Sequence, residues 1–218
     1  MQAAGRRFDV KVDADELVGQ YHLACADLLA QETAAGTPGP GAGSGLRLYT
    51  AALLAVLSVH GARLGARDEA WLQEEYHEAH RRHVRLHDDA RPALAALAGA
   101  GVHVGLVTDV DAPFLDYHLR FLDLEGAFDS VTTASDAGAL KPDPRIFRLA
   151  LSRARVPAGR AVMVGDSLER DVDGALAAGL RAVLVDRYGA RRTDVPRVRS
   201  LRELPRALAR LDGLQSER

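Results

Sequence analysis

The chain has 218 residues, a net charge of −2 and 47% hydrophobic residues, which permits one globular domain with an insert, or two small ones. Aromatic residues make up 5%, so Ala, Leu and Val must build the core. The near-neutral charge gives no footing for nucleic acid, no apolar run nears the ~18 residues of a membrane span, and MQAAGRRFDV lacks the apolar stretch of a signal peptide. One cysteine, Cys25, cannot form an internal disulfide and reads as a buried, inert thiol; the cytoplasm is the default compartment.

The first elements are helical. Leu17, Tyr21, Ala24 and Leu28 recur on one helix face, with Asp13 and Glu16 as a capping pair. GTPGPGAGSG, residues 36–45, is a loop because Gly and Pro dominate it. LRLYTAALLAVLSVHGARLG predicts a second helix, and a third starts near Asp68 and runs through WLQEEYHEAHRRHVRL. That third helix carries His77, His80, His83 and His87. Their spacing permits a metal site, but the interleaved Glu and Arg favour a solvated face, and Arg81, Arg82 and Arg85 would repel a cation.

From residue 88 helices alternate with short apolar strands. Strands are predicted at 102–107, 128–133, 160–165 and 181–186, with helices near 90–99, 113–123, 144–154 and 168–178. Such alternation predicts an α/β fold, a Rossmann-like parallel sheet with helices on both faces. The stretch GARRTDVPRVRSLRELPRALARL is locally basic, but its arginines are dispersed, which reads as a solvated helix face.

Ligands of parallel sheets bind at the carboxyl ends of the strands. There the chain places Thr108 and Asp109, then Lys141, then Asp166 and Asp171 of GDSLERD. A hydroxyl, an ammonium and two acids suit a phosphoryl group bound with Mg²⁺, a cation that prefers carboxylate oxygens. Lys141 is informative because only it and Lys11 are lysines among 28 basic residues, the rest being arginines. A compact ammonium serves a small pocket that a planar guanidinium would overfill.

LVTDVD, LKPDPRIF and VMVGDSLERDVDGALAAGL resemble the second, third and fourth motifs of the haloacid dehalogenase-like hydrolase superfamily, over roughly residues 88–190. The resemblance implies residues 1–87 as an α-helical cap and 88–218 as the Rossmann-like core. It implies phosphoryl transfer through an aspartyl intermediate, most members being Mg²⁺-dependent phosphatases and a minority dehalogenases. By motif match Thr108 and Lys141 would be catalytic, Thr108, Asp109 and Lys141 would bind the phosphoryl group, and Asp166 and Asp171 would hold the metal or its waters. Response regulators also combine acids, Thr and Lys, but there the acid pair comes first in the chain.

The family's first motif, an apolar strand ending in Asp-x-Asp-x-Thr, has no clear counterpart. Asp13-Ala14-Asp15 fits superficially, but Asp9 and Lys11 interrupt the apolar run before it, and Asp13 reads better as a helix cap. RRFDVKVDADELVGQY resembles the interior of a cap, so the chain is expected to begin late, its missing strand replaced by a surrogate such as residues 7–12 or by a partner chain. Three readings stay open: a phosphatase acting on a small phosphorylated metabolite, a non-catalytic phosphate- or metal-binding relative or interaction module, and a metal-independent 2-haloacid dehalogenase. The expected assembly is a monomer or homodimer without nucleic acid or membrane partners.

Overall fold

The computed structural model describes residues 44–65, 67–110, 112–189 and 194–216, together with Arg7, Phe8, Val10, Glu16, Gln20, Leu23, Ala24, Asp27 and Leu28. Asp13, Leu17, Tyr21, Cys25 and most of the 36–45 loop lie outside the described residues; Glu16 to Leu28 is helical where it is described.

A packed pair of helices follows among the described residues. Helix α1 (Ser44–Val59) places Leu57 against Leu72 of α2 (Asp68–His83), and the buried Val10 joins them. Gly61 turns the chain between these helices with φ +83°, a left-handed conformation that glycine tolerates at no steric cost. Phe8 meets Trp71 edge to face at 5.8 Å. Phe8 and Val10 are thus in the helical cluster and in no strand, so this part of residues 7–12 does not act as the surrogate expected from the sequence. The outer face of α2 carries ion pairs from Glu78 to Arg81 and Arg82, the expected solvated pattern.

Helices and parallel strands then alternate. The order is α3 (Ala90–Gly99), β1 (Gly105–Thr108), α4 (Ala112–Phe121), β2 (Ser130–Thr133), α5 (Ala134–Ala137), α6 (Pro144–Ala154), β3 (Val162–Gly165), a π-helical turn (Leu168–Asp173), α7 (Gly174–Ala177), β4 (Arg181–Val185), β5 (Arg197–Val198) and α8 (Leu204–Ser216). Period-two alternation sorts side chains to two faces. Val162 and Val164 of β3 and Val183 of β4 pack with Leu204 of α8, while Met163 packs with Ile146 and Phe147 of α6.

The strands form two sheets. In one, β1 pairs parallel with β2, Leu106 opposite Val131; in the other, β3 pairs with β4, Val164 opposite Val183, and β4 with β5. The α/β class is as expected, with the described strands falling in two parallel sheets. The basic C-terminal stretch is also more varied than a helix face. Its helix begins only at Leu204, after β5 and a 3-10 turn at Leu201–Glu203.

Asp89, at the start of α3, ties this half of the molecule together. Arg187 donates to both its oxygens at 2.8 and 3.0 Å, Ser200 Oγ and Leu201 N each at 2.8 Å. Arg187, followed by the Ser200 hydroxyl and the Leu201 N–H, holds the buried Asp89 carboxyl well below the usual carboxylate range.

Candidate active site

The carboxyl ends of β1 and β3 face one rim, and the loop before α6 reaches both. Helix α6 is set by Asp143, which accepts the Arg145 N–H at 2.8 Å as N-cap, and by Pro144 in its first turn. The Lys141–Pro142 peptide is cis. Immediately before it, the Lys141 N–H donates to Asp109 Oδ1 at 2.9 Å, pinning the loop to the residue after β1. Gly174 allows the close approach beneath, since a Cβ there would lie 2.8 Å from Pro142 Cβ and 2.9 Å from Phe147 Cε2.

Lys141 Nζ donates to Asp171 Oδ1 at 2.6 Å and to Val107 O at 3.4 Å. The Lys141 side chain is 12% exposed and that of Asp171 5%. Asp171 is brought there by the π-helical turn, which Ser167 opens by capping the Arg170 N–H. Its second oxygen accepts the Ser167 N–H at 2.9 Å. Gly165 makes the space, because a Cβ at that position would sit 2.4 Å from Asp171 Cγ. A π turn inserted in a helix re-aims side chains and is frequent at functional sites.

Thr108 ends β1, its hydroxyl accepting the Val110 N–H at 3.1 Å. Arg170 Nη1 lies 3.3 Å from Asp109 Oδ2, joining the π turn to the loop after β1. Asp166 follows β3 directly and is exposed. The structure therefore links Asp109, Lys141 and Asp171, with Thr108 next to Asp109 at the end of β1 and Asp166 next to Gly165 at the end of β3. Sequence reasoning missed Gly165, Ser167, Gly174 and Arg170. Gly165 carried a signal, as the glycine immediately before Asp166, whereas Gly174 and Arg170 carried none.

The donor set fits Mg²⁺ in a limited way. Both Asp171 oxygens already accept hydrogen bonds, which leaves Asp166 as the exposed carboxylate. Mg²⁺ commonly takes one or two carboxylates, keeps its waters and shares substrate phosphate oxygens, so one such carboxylate suffices for a site of that kind. Among the described residues no cluster of three or more His, Cys, Asp or Glu is placed to hold a metal, at this rim or on α2. His77 instead packs against Phe114 and Tyr117 of α4, ring centroids 5.3 and 4.7 Å away.

The profile of haloacid dehalogenase-like hydrolases matches residues 13–179. The chain belongs to this family. Among curated relatives of this haloacid dehalogenase-like hydrolase, a ribulose-1,5-bisphosphate 5-phosphatase from Halopiger xanaduensis is 35% identical over 130 residues, 60% of this chain and 54% of the relative. A phosphoserine phosphatase from Thermus thermophilus is 38% identical over 107 residues, 49% of this chain and 43% of the relative. The chain thus spans about half the length of the curated relatives it matches. Among solved structures, a 2-haloacid dehalogenase from Pseudomonas syringae pv. Tomato is 28% identical with a TM-score of 0.60, covering 91% of this chain and 93% of that one. Among the described residues no helix is long and apolar enough to cross a membrane.

Proposed function

We propose that this haloacid dehalogenase-like hydrolase is a Mg²⁺-dependent, cytoplasmic phosphatase-type protein that takes a small phosphorylated metabolite, as a monomer or homodimer. Residues 1–87 would form the cap over the rim and 88–218 the core. The observation that carries the reading is the Lys141 ammonium, nearly buried at the strand ends and held 2.6 Å from Asp171. An ammonium has three donors, and Asp171 and Val107 O account for two. The third serves a phosphoryl oxygen, with the Thr108 hydroxyl and the Asp109 N–H as further donors. Such fixed donors stabilise the charge on a transferring phosphoryl group with no reorganisation. Mg²⁺, held through Asp166, would neutralise phosphoryl oxygens when bound.

Transfer also needs an acceptor oxygen. Asp171 is a poor one, because the ammonium and the Ser167 N–H hold both its oxygens. Asp13 and Asp15 lie outside the described residues. The occupied oxygens of Asp171 are what a second reading rests on, a relative that binds phosphate without turnover. The test is an assay of the chain against aryl phosphate, sugar phosphates and amino-acid phosphates with and without Mg²⁺, beside vanadate binding by calorimetry. Mg²⁺-dependent phosphate release supports the first reading, and vanadate binding without release supports the second. Metal-independent halide release from a 2-haloacid, with no vanadate binding, overturns both.

A further inference from the structure

Arg170 stands at the same rim with no part in the phosphoryl reading. It lies on the π-helical turn, directly before the buried Asp171 and Val172. Ser167 O accepts the N–H groups of Asp171 at 3.0 Å and Val172 at 3.2 Å, and Ser167 Oγ accepts that of Arg170 at 3.2 Å. The backbone under Arg170 is therefore fixed, while its side chain is 59% exposed. A side chain carried on a fixed backbone needs less ordering when it takes a ligand.

Among the described residues the Arg170 side chain has one partner, Asp109, with Nη1 3.3 Å from Oδ2. Other arginines of the core are engaged more fully. Arg187 donates to both oxygens of Asp89 at 2.8 and 3.0 Å, and Arg145 reaches both oxygens of Asp143 through Nε and Nη2. Arg170 commits Nη1 alone, so among the described residues its Nε–Nη2 edge has no protein partner. Such an edge matches two oxygens of a carboxylate or a phosphate.

Asp109 sets where that edge lies. Its Oδ1 accepts the Lys141 N–H at 2.9 Å while Oδ2 faces Arg170. Its own N–H and the Thr108 hydroxyl are phosphoryl donors in the reading above. The Asp109 side chain alone stands between those donors and the guanidinium. Charge points the same way. Lys141 is matched by Asp171, and Arg170 offsets Asp109, which leaves Asp166 for a divalent cation. A second anion on the substrate would be repelled by Asp109 and Asp166 unless a cation met it there.

We propose that Arg170 determines specificity at this site, taking a second anionic group of the phosphorylated metabolite, a carboxylate or a second phosphate, on its Nε–Nη2 edge. The inference rests on the phosphoryl reading of Lys141, Thr108 and Asp109. It adds a substrate class, phosphorylated acids and bisphosphates in preference to phosphorylated alcohols and amines. A role confined to pinning Asp109 would instead affect every phosphorylated ligand alike.

The test measures affinity by calorimetry with Mg²⁺, or kcat/KM where phosphate is released, for ligand pairs that differ in the second anion alone. Phosphoserine is set against phosphoethanolamine, and a hexose bisphosphate against the hexose monophosphate. Vanadate reports on the phosphoryl site by itself. In the parent the doubly anionic member of at least one pair should be preferred by about tenfold or more, and the pair that shows it tells carboxylate from phosphate. The preference should weaken with added salt, as for an exposed ion pair. In Arg170→Gln it should shrink to about twofold or less, and Arg170→Lys, which keeps the charge without the fork, should fall between. The ratio within a pair cancels any general weakening of the site. Equal affinity within both pairs in the parent, or an unchanged ratio in Arg170→Gln, overturns the proposal, and vanadate binding in that case leaves the phosphoryl reading standing. Absence of vanadate binding by the parent overturns both.

Discussion

Lys141 Nζ and Asp171 Oδ1 meet at 2.6 Å in a nearly buried pair, and this contact holds β1, the loop before α6 and the π turn in one arrangement. The ammonium is compact, and Val107 O is its neighbour on the other side. A guanidinium is planar and wider, so Lys141→Arg keeps the charge and loses the fit. Vanadate affinity should fall by about tenfold or more, equivalent to about 1.4 kcal/mol. Calorimetric titration of parent and variant checks it, and equal affinity would reject the one-ammonium pocket.

Asp166 and Asp171 should respond differently to the same change. Asp171→Asn leaves Lys141 without its counter-charge in a nearly buried place, at a cost of about 3–5 kcal/mol. For a chain of this size that lowers Tm by roughly 6–20 °C. Asp166→Asn removes an exposed carboxylate and should leave Tm within a few degrees while weakening Mg²⁺ binding by about tenfold or more. Scanning calorimetry and Mg²⁺ titration on both variants separate the roles. The assignment fails if Asp166→Asn keeps full Mg²⁺ affinity.

Gly165→Ala tests how the Asp171 carboxylate gains its place. The added methyl would lie 2.4 Å from Asp171 Cγ, so the carboxylate must shift away from the ammonium. Overpacking of this kind costs about 1–3 kcal/mol. Gly159→Ala is the control, because a Cβ there meets nothing within 4 Å. Melting curves should show a lower Tm for the first variant alone, with weaker vanadate binding. Equal melting of the two variants would remove the steric argument.

Much of this site is legible in the sequence because its signals are local. The four main strands are short apolar runs between helical patterns, and their centres fall where the alternation puts them, although β1 starts three residues later than expected, at Gly105. Lys141 stands out because lysine is rare in an arginine-rich chain. The role of Asp171 is not local. It depends on a π turn that brings the carboxylate to Lys141, a pairing that no local pattern announces. β5 has two residues, too few to show a period, which is why the C-terminal stretch reads as helix throughout. His77 lies on a helix of mostly charged neighbours and only the packing of α4 draws it inward.

Asp89 predicts the shape of the acid limb. Its native pKa lies well below the ordinary 3.8, chiefly through Arg187. Asp136, beside Arg153 and the Thr133 N–H, is lowered to about 2. For groups depressed in this way, the stabilisation is fully present above the ordinary carboxylate value and is lost as pH falls through the native one. Stability should therefore hold from neutral pH to about pH 4 with respect to these groups and decline below it. In Asp89→Asn the part due to Asp89 is already gone at pH 7. That variant should melt roughly 6–12 °C lower at neutral pH, for a loss of about 3 kcal/mol. The figure is at the low end for a broken buried pair because the Arg187 side chain keeps 24% of its surface in water. Below pH 4 its Tm should fall less steeply than the parent's, since one fewer carboxylate takes up a proton on unfolding. Calorimetric melts of both proteins from pH 7 to pH 2.5 measure this, and parallel acid limbs would show that Asp89 is not the group that titrates.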